Sequence, residues 1–417
     1  MTDPLLRIAE RKIARVRQSL AKRNKQEARF RFYGIASIFS VMAFLFFLIG
    51  AIVSTGMSAF IATEIRMTFK VDKSDPNLSS RSIIRKTLSD EFSEVSGRKE
   101  RRKLYKFLSE ESEYIVEEKI AAMPNKQHQL VLWLPAGDRV NQFSKGKLNL
   151  GNKVGFSQSE YIWYETLKSQ ERLRKTFNWR FFTNGDSRNP EVAGIAGAFM
   201  GSMFTLLVAI TLSFPIGVGA AIYLEEYAPK NRLTDFIEIN INNLAAVPSI
   251  VFGLLGLAIF LNVLGLPRST AIVGGLVLTL MTLPTIIISS RASLKAVPPT
   301  IRDGALAMGA SRTQVVFHHV LPSALPGMLT GSIIGMAQAL GETAPLLMIG
   351  MVAFIVDIPA SFTDAATALP VQIFLWSENP ERGFVELTSA AIMLLLVFLF
   401  LMNGLALYLR RKLERRW

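Results

Sequence analysis

One carboxylate in this chain stands where carboxylates are expensive. Glu342 interrupts an otherwise uncharged apolar run over 320–356, and Gln338 precedes it by four residues, one helical turn. An acid inside such a run is a functional-site candidate by default, kept neutral by burial or held by a cation from a neighbouring element. Structural pairing with another helix is the competing reading. Asn240, Asn242 and Asn243 cluster at the edge of a second apolar run, over 239–267. They suit hydrogen bonding at a helix end or the wall of a polar path, for which Asn243 is the candidate.

The remaining constellations do not assemble into chemistry. His318 and His319 are adjacent, hence on different faces of a helix, and His128 stands far from both. With no Cys in the chain, these offer no metal set, no thiol nucleophile and no disulfide. Gly146-Lys147 is followed by Leu148, so the loop that cradles nucleotide phosphates is missing. No catalytic residue, metal site or cofactor is expected.

A polar loop over 291–323 is built rather than slack. Pro298, Pro299 and Thr300 precede IRDGALAMG, which ends at Gly309, and ASRTQVVFHHVLP follows to Pro322. Thr300 is placed to cap a first short helix, and Gly309 to end it in the left-handed conformation that glycine adopts most cheaply. Ser311 and Gln314 form a capping box that starts a second helix, continuous with the apolar run after Pro322. Ala305, Ala307, Gly309 and Ala310 leave the first helix almost bare on one side, so another protein can approach its backbone.

This loop resembles the EAA loop of ABC-importer permeases, patterned E-A-A, three residues, G, nine residues, I-x-L-P. Asp303, Gly304 and Ala305 stand at the E-A-A positions, with Gly309 and Leu321-Pro322 in register; Gly304 replaces the first Ala, and His319 the usual Ile. Arg302 is similar to the basic residue that often precedes the motif. Downstream, ALGETAPLL over 339–347 resembles the GETAPLL segment of PstA-type phosphate permeases, and NLAAVPSIVFGLLGLAIF over 243–260 resembles the same family. The resemblance runs from about Ala193 to the C-terminus. It implies that Arg302, Asp303, Gly304, Ala305, Gly309, Leu321 and Pro322 form the loop that enters a cleft on a separate ATPase. It further implies a PstC-like permease partner, a PstB-like ATPase dimer and a periplasmic phosphate-binding protein.

The elements that must hold these residues are membrane helices. The chain of 417 residues is 50% hydrophobic, with mean hydropathy +0.30, too apolar for an ordinary soluble protein of this size. A bilayer core of about 30 Å needs about 20 helical residues. Six runs qualify, within 32–63, 192–224, 239–267, 269–290, 320–356 and 387–409. The formal net charge is +14, but it concentrates where membrane topology wants it, and no nucleic-acid motif accompanies it. The first 31 residues carry ten Lys or Arg against three acids, and 410–417 carry five against one. Both termini are therefore expected in the cytoplasm, as basic tails 1–31 and 410–417, around a multi-pass inner-membrane protein. The loop 291–323 then also falls in the cytoplasm, independently of the resemblance.

Residues 64–191 differ from the rest. They mix both charges, hold three of the five Trp and contain no spanning run. Residues 83–122 read as helical, with Leu88, Phe92 and Val95 at helical spacing, and 129–134 as a strand stopped by Pro135. A small extracytoplasmic α+β domain is expected between the first and second spans, either a structural cover or a dock for a substrate-delivering partner. The fold class is thus an all-α membrane protein of six transmembrane helices with that insertion, its permease core over 192–409.

Two rows of small residues predict close helix packing. Gly197, Gly201, Thr205, Ala209, Ser213, Gly217 and Ala221 recur at intervals of four in span two, and Gly327, Gly331, Gly335 and Ala339 do so in span five. Such a row is a groove in which another helix lies close, in this chain or in another subunit. Pro215 and Pro248 predict kinks. The expected function is the membrane path of an ATP-driven phosphate importer. Permeation of another oxyanion, such as sulfate or molybdate, is the alternative, and a membrane sensor or scaffold would leave the loop and the spans unexplained.

Overall fold

The computed structural model describes residues 4–71, 79–95, 97–123, 129–151, 155–352 and 354–413. His128 lies outside them. The chain divides into two units, Met1–Ser54 and Thr55–Trp417. The first is carried by α1, Pro4–Gly56, one helix of 53 residues. From Pro4 on, the basic segment expected as a tail is therefore the start of this helix. A single tight turn, Met57–Phe60, closes it.

The chain then changes period. β1, Ile61–Lys70, buries alternate residues, with Ile65, Met67 and Phe69 almost fully inaccessible, and each such side chain contributes about 1.5 to 3 kcal/mol. The first apolar run thus ends before residue 63, since Ile61 and Thr63 already belong to the strand. Helices α2 (Ser80–Glu91), α3 (Arg98–Tyr105) and α4 (Ser112–Ala121) precede β2 (Gln129–Pro135), and α5 (Asp138–Ser144) and α6 (Gln158–Ser169) precede β3 (Leu173–Phe177). Both strands pair antiparallel with β1, in the order β2-β1-β3. The helices cover one face of this sheet around Leu88, Leu104, Phe107, Leu134, Phe156 and Trp163. Phe92 and Val95, expected on a helix, lie beyond the end of α2 at Glu91 and still pack on this core.

After the short α7 (Arg180–Thr183), the second half is helical: α8 (Ala196–Ile222), α9 (Arg232–Ala245), α10 (Ser249–Gly256), α11 (Ala271–Lys295), α12 (Pro299–Ala307), α13 (Arg312–Gln314), α14 (Leu321–Gly341), α15 (Ala344–Met348), α16 (Leu369–Ser377) and α17 (Arg382–Leu413). Five helices among the described residues are long and apolar enough to cross a membrane, and a sixth span results if α9 and the segment Ser249–Val263 count as one. That pair bends by 102°, so the third expected span is broken rather than kinked. Pro248 occupies the joint, in an extended conformation and with no N–H to carry a helix through it. A further helix, α16, lies between the last two expected spans.

Candidate functional site

The hairpin between α11 and α14 is fixed at every turn by local chemistry. Pro298, not Thr300, takes the cap position of α12, and Pro299 begins the helix, where a missing N–H costs nothing. At the other end Gly309 has φ +88. Its N–H donates to Leu306 O at 2.9 Å, and the Ala310 N–H to Ala305 O at 3.1 Å, the paired bonds of a Schellman ending. Ser311 then caps α13: its N–H donates to Gln314 Oε1 at 2.8 Å, and the Gln314 N–H to Ser311 Oγ at 3.3 Å. From Arg312 the helix runs on through a wider π-type stretch, Val315–Val320, into α14.

The inner face of this hairpin is anchored. Val315, Val316 and Val320 are buried with Ala221, Ile222, Leu294 and Val297, against which Ala305, Ala310 and Leu321 also pack. The two alanines therefore face the core, and the bare outer face is made instead by Asp303, Gly304, Leu306, Ala307 and Met308, all exposed. Met308 is 89% exposed, and a side chain at Gly304 would meet nothing within 4 Å. Pro322 is half-buried at the start of α14.

Charge completes the anchoring. Arg302 donates from Nη2 to Glu226 Oε1 at 2.8 Å and to Leu294 O at 2.9 Å, and from Nη1 to Val297 O at 2.7 Å. Glu226 lies in the turn Tyr223–Tyr227 that continues α8, so one guanidinium joins α12 to the ends of α8 and α11. Beside it Arg291 reaches Glu238 of α9 at 2.6 Å and Glu225 at 3.5 Å. Glu225, Glu226 and Glu238 carry no local signal that marks them as partners, because they stand 53 to 76 residues from Arg291 and Arg302 in sequence.

Both small-residue rows pack within this chain, and they share Ile286 of α11 as a neighbour. All seven members of the first row are buried along α8. A Cβ at Gly217 would stand 2.7 Å from Ile286 Cγ2, one at Gly275 would meet Val208 at 2.5 Å, and one at Gly201 would strike the carbonyl of Thr367. The second row faces the hydroxyls of the same helix: side chains at Gly327 and Gly331 would collide with Ser293 and Ser289, whereas Gly335 has ordinary room, 3.9 Å, from Thr282 and Ile286. Gly197 is likewise uncrowded, 3.6 Å from Asp357 O.

Glu342 is not inside a helix. α14 ends at Gly341, and Glu342 has φ −77 and ψ 124, with its N–H on Ala339 O at 3.2 Å. The break follows from Pro345, whose ring would clash with the carbonyl of Gly341 four residues earlier in a continuous helix. Glu342 therefore does not extend a helical row from Gln338. α15 beyond the break packs on α10, where a Cβ at Gly253 would stand 2.7 Å from Pro345 Cα. Gln338 is exposed on α14, Asn243 is exposed in the last turn of α9, and Glu342 is half-buried. No hydrogen bond among the described residues joins the three. The exposed His318 and His319 belong to no group of three or more potential metal ligands among the described residues.

A second charged centre, unforeseen in the sequence, joins the β-sheet domain to α17. Lys145 at the end of α5 meets Glu386 at 2.9 Å with both side chains nearly inaccessible. Burial, then the Glu381 charge, pushes the Asp138 carboxyl up to about 6. Burial pushes Glu191 up to about 7, with Asp138 and Glu381 adding to it.

Residues 213–415 match the family described as binding-protein-dependent transport system inner membrane component, and residues 17–152 match a domain of unknown function, DUF3333. The probable ABC transporter permease protein YqgI of Bacillus subtilis is 35% identical over 170 residues, 41% of this chain and 58% of that protein. The phosphate transport system permease protein PstA 1 of Mycobacterium tuberculosis is 30% identical over 237 residues, 57% of this chain and 77% of that protein. PstA of Yersinia pestis is 31% identical over 218 residues, 52% and 72% of the two chains. Among solved structures, a chain of the inward-facing MetNI methionine ABC transporter has a TM-score of 0.44 at 18% identity, covering 53% of this chain and 96% of that one.

Proposed function

The chain belongs to the phosphate-transport permease family of binding-protein-dependent importers, and from that premise we propose how its geometry performs the task. It is a multi-pass membrane subunit of an ABC phosphate importer, non-catalytic itself, working with a separate ATPase and a substrate-binding protein. The partners are a PstC-like permease, a PstB-like ATPase dimer and a periplasmic phosphate-binding protein. Both termini and the α12 hairpin lie in the cytoplasm, and the β-sheet domain lies outside.

The observation that carries this reading is the α12 hairpin itself. Its inner face is packed and ion-paired to α8, α11 and α14, while its outer face offers Asp303, Gly304, Ala307 and the apolar Leu306 and Met308. A cleft closing on that outer face displaces three helix ends together, because Arg302 and the buried valines leave the hairpin no freedom to move alone. ATP-driven closure of the ATPase is thereby passed to the helices, which reorient so that phosphate released outside passes inward. Glu342, at the break between α14 and α15, is the path candidate, where helix ends are free to change angle. Reconstituted with its partners, the chain should show phosphate-stimulated ATP hydrolysis and ATP-dependent phosphate uptake. Sulfate or molybdate carried in place of phosphate would overturn the substrate assignment.

A further inference from the structure

A cluster of aromatic rings lies uncovered at the foot of the β-sheet domain. Phe60 stacks on Phe182 at 5.7 Å and on Phe177 at 6.4 Å, and Phe177 meets Trp179 at 4.9 Å. Trp179 is 68% exposed, Phe177 49% and Phe182 36%. Ile61, the cross-strand partner of Phe177, and Met57 are exposed as well. Rings that large are rarely left to water without a use.

Their depth is set by three helices. Phe60 packs in the cluster formed by Ile195 and Ala198 at the start of α8 and by Leu387, Ala390 and Ala391 near the start of α17. Gly56 lies one turn deeper, where an added Cβ would stand 2.8 Å from Met393 Sδ. The uncharged stretches of α8 and α17 begin after Glu191 and Glu386. The rings around Phe60 therefore stand at the level where the spans enter hydrocarbon. Aromatic side chains favour that level, with the ring in the apolar boundary and the indole N–H in reach of water. Lys175, two residues before Phe177 on β3 and so on the same face, is exposed and free to reach lipid phosphate.

We propose that Trp179, Phe177 and Phe182 are immersed in the headgroup region of the bilayer and anchor the β-sheet domain to lipid. The occupant is lipid because the patch continues the surface of the membrane-spanning helices at their own boundary, and Arg180, the one charge between Phe177 and Phe182 in sequence, is paired with Glu64. The test uses the full chain with its transport partners in nanodiscs of phosphatidylethanolamine and phosphatidylglycerol. The sequence has no Cys, so a nitroxide on F177C, W179C or F182C reports one position. Oxygen should collide with these labels more often than a water-soluble nickel chelate does, and the reverse should hold for V131C on the exposed sheet. Dominance of the chelate at all three sites overturns the proposal. So does shielding from both reagents, which would place protein over the rings. For the unlabelled chain, lipids brominated near the headgroup should quench a share of the tryptophan emission that W179F removes; equal quenching with and without Trp179 overturns it too.

Discussion

Arg302 and Glu226, 76 residues apart in sequence, meet at 2.8 Å where the hairpin joins the end of α8. The guanidinium also holds two backbone carbonyls, so its planar fork is used on three partners at once. Lys cannot reproduce that. Arg302→Ala leaves a mostly buried carboxylate unpaired and should cost about 1 to 2 kcal/mol, after allowance for partial exposure. Arg302→Lys should recover only part of it. In the assembled transporter both variants should bind the ATPase while phosphate-stimulated hydrolysis falls, more for Ala than for Lys. Full stimulation in the Ala variant would refute the anchoring role.

Gly309 takes φ +88 with open space around it, so only the backbone penalises a side chain there. Gly309→Val should cost about 1 to 3 kcal/mol in that turn, and Gly309→Asn much less, because Asn tolerates the left-handed region. Uptake should fall for Val and survive for Asn. Equal loss in both would point to a surface contact instead of the turn.

The packing rows make a graded prediction. Gly331→Val puts its branch into Ser289 and should cost about 3 kcal/mol or more, seen as lost assembly and a lowered melting temperature. Gly335→Ala, with 3.9 Å to its neighbours, should leave both unchanged. A tolerated Gly331→Val would mean that α14 does not rest on α11 as described.

Glu342→Gln should assemble normally and transport more slowly if a charged carboxylate latches the joint between α14 and α15. Loss of assembly in both Gln and Ala variants, read by co-purification, would make the residue structural.

Asp138 and Glu191 give a pH dependence. Burial raises both carboxyls above the usual carboxylate range, to about 6 and about 7, so the folded domain holds protons that the unfolded chain releases. Their stabilising contribution is full below the ordinary carboxyl range and is lost as pH rises through about 6 and then about 7, on the order of 3 kcal/mol for each. Hydrogen exchange in α5 should therefore be slower at pH 5 than at pH 8 after correction for intrinsic rates, and Asp138→Asn with Glu191→Gln should flatten the difference.

What the sequence discloses here is what local rules decide. The capping box at Ser311, the turn at Gly309 and the small-residue row of α8 each follow from spacing within a few helical turns. The break after Gly341 is also local, since Pro345 forbids the continuation, but the apolar composition of 320–356 continues across it. The 102° turn at Pro248 exceeds what one proline predicts in a span, and it depends on where α9 and α10 find partners. Arg302 with Glu226, and Lys145 with Glu386, are joined across 76 and 241 residues; tertiary packing alone brings them together. Thr300 failed as a cap because the two prolines before it already set the helix entrance.

The interlock along α11 restricts how the permease can move. With Gly217 of α8 seated on Ile286, Val208 of α8 on Gly275, and Gly327 and Gly331 of α14 against Ser293 and Ser289, neither neighbour can slide along α11 without a steric clash. These three helices must travel as a rigid body, and angular change has to be absorbed outside them. Two joints are available, Val247-Pro248 between α9 and α10, and Glu342-Thr343 between α14 and α15, and both open onto the same pair of packed elements, α10 and α15. A cross-link across either joint should therefore arrest the cycle, whereas one between α8 and α11 should leave it running.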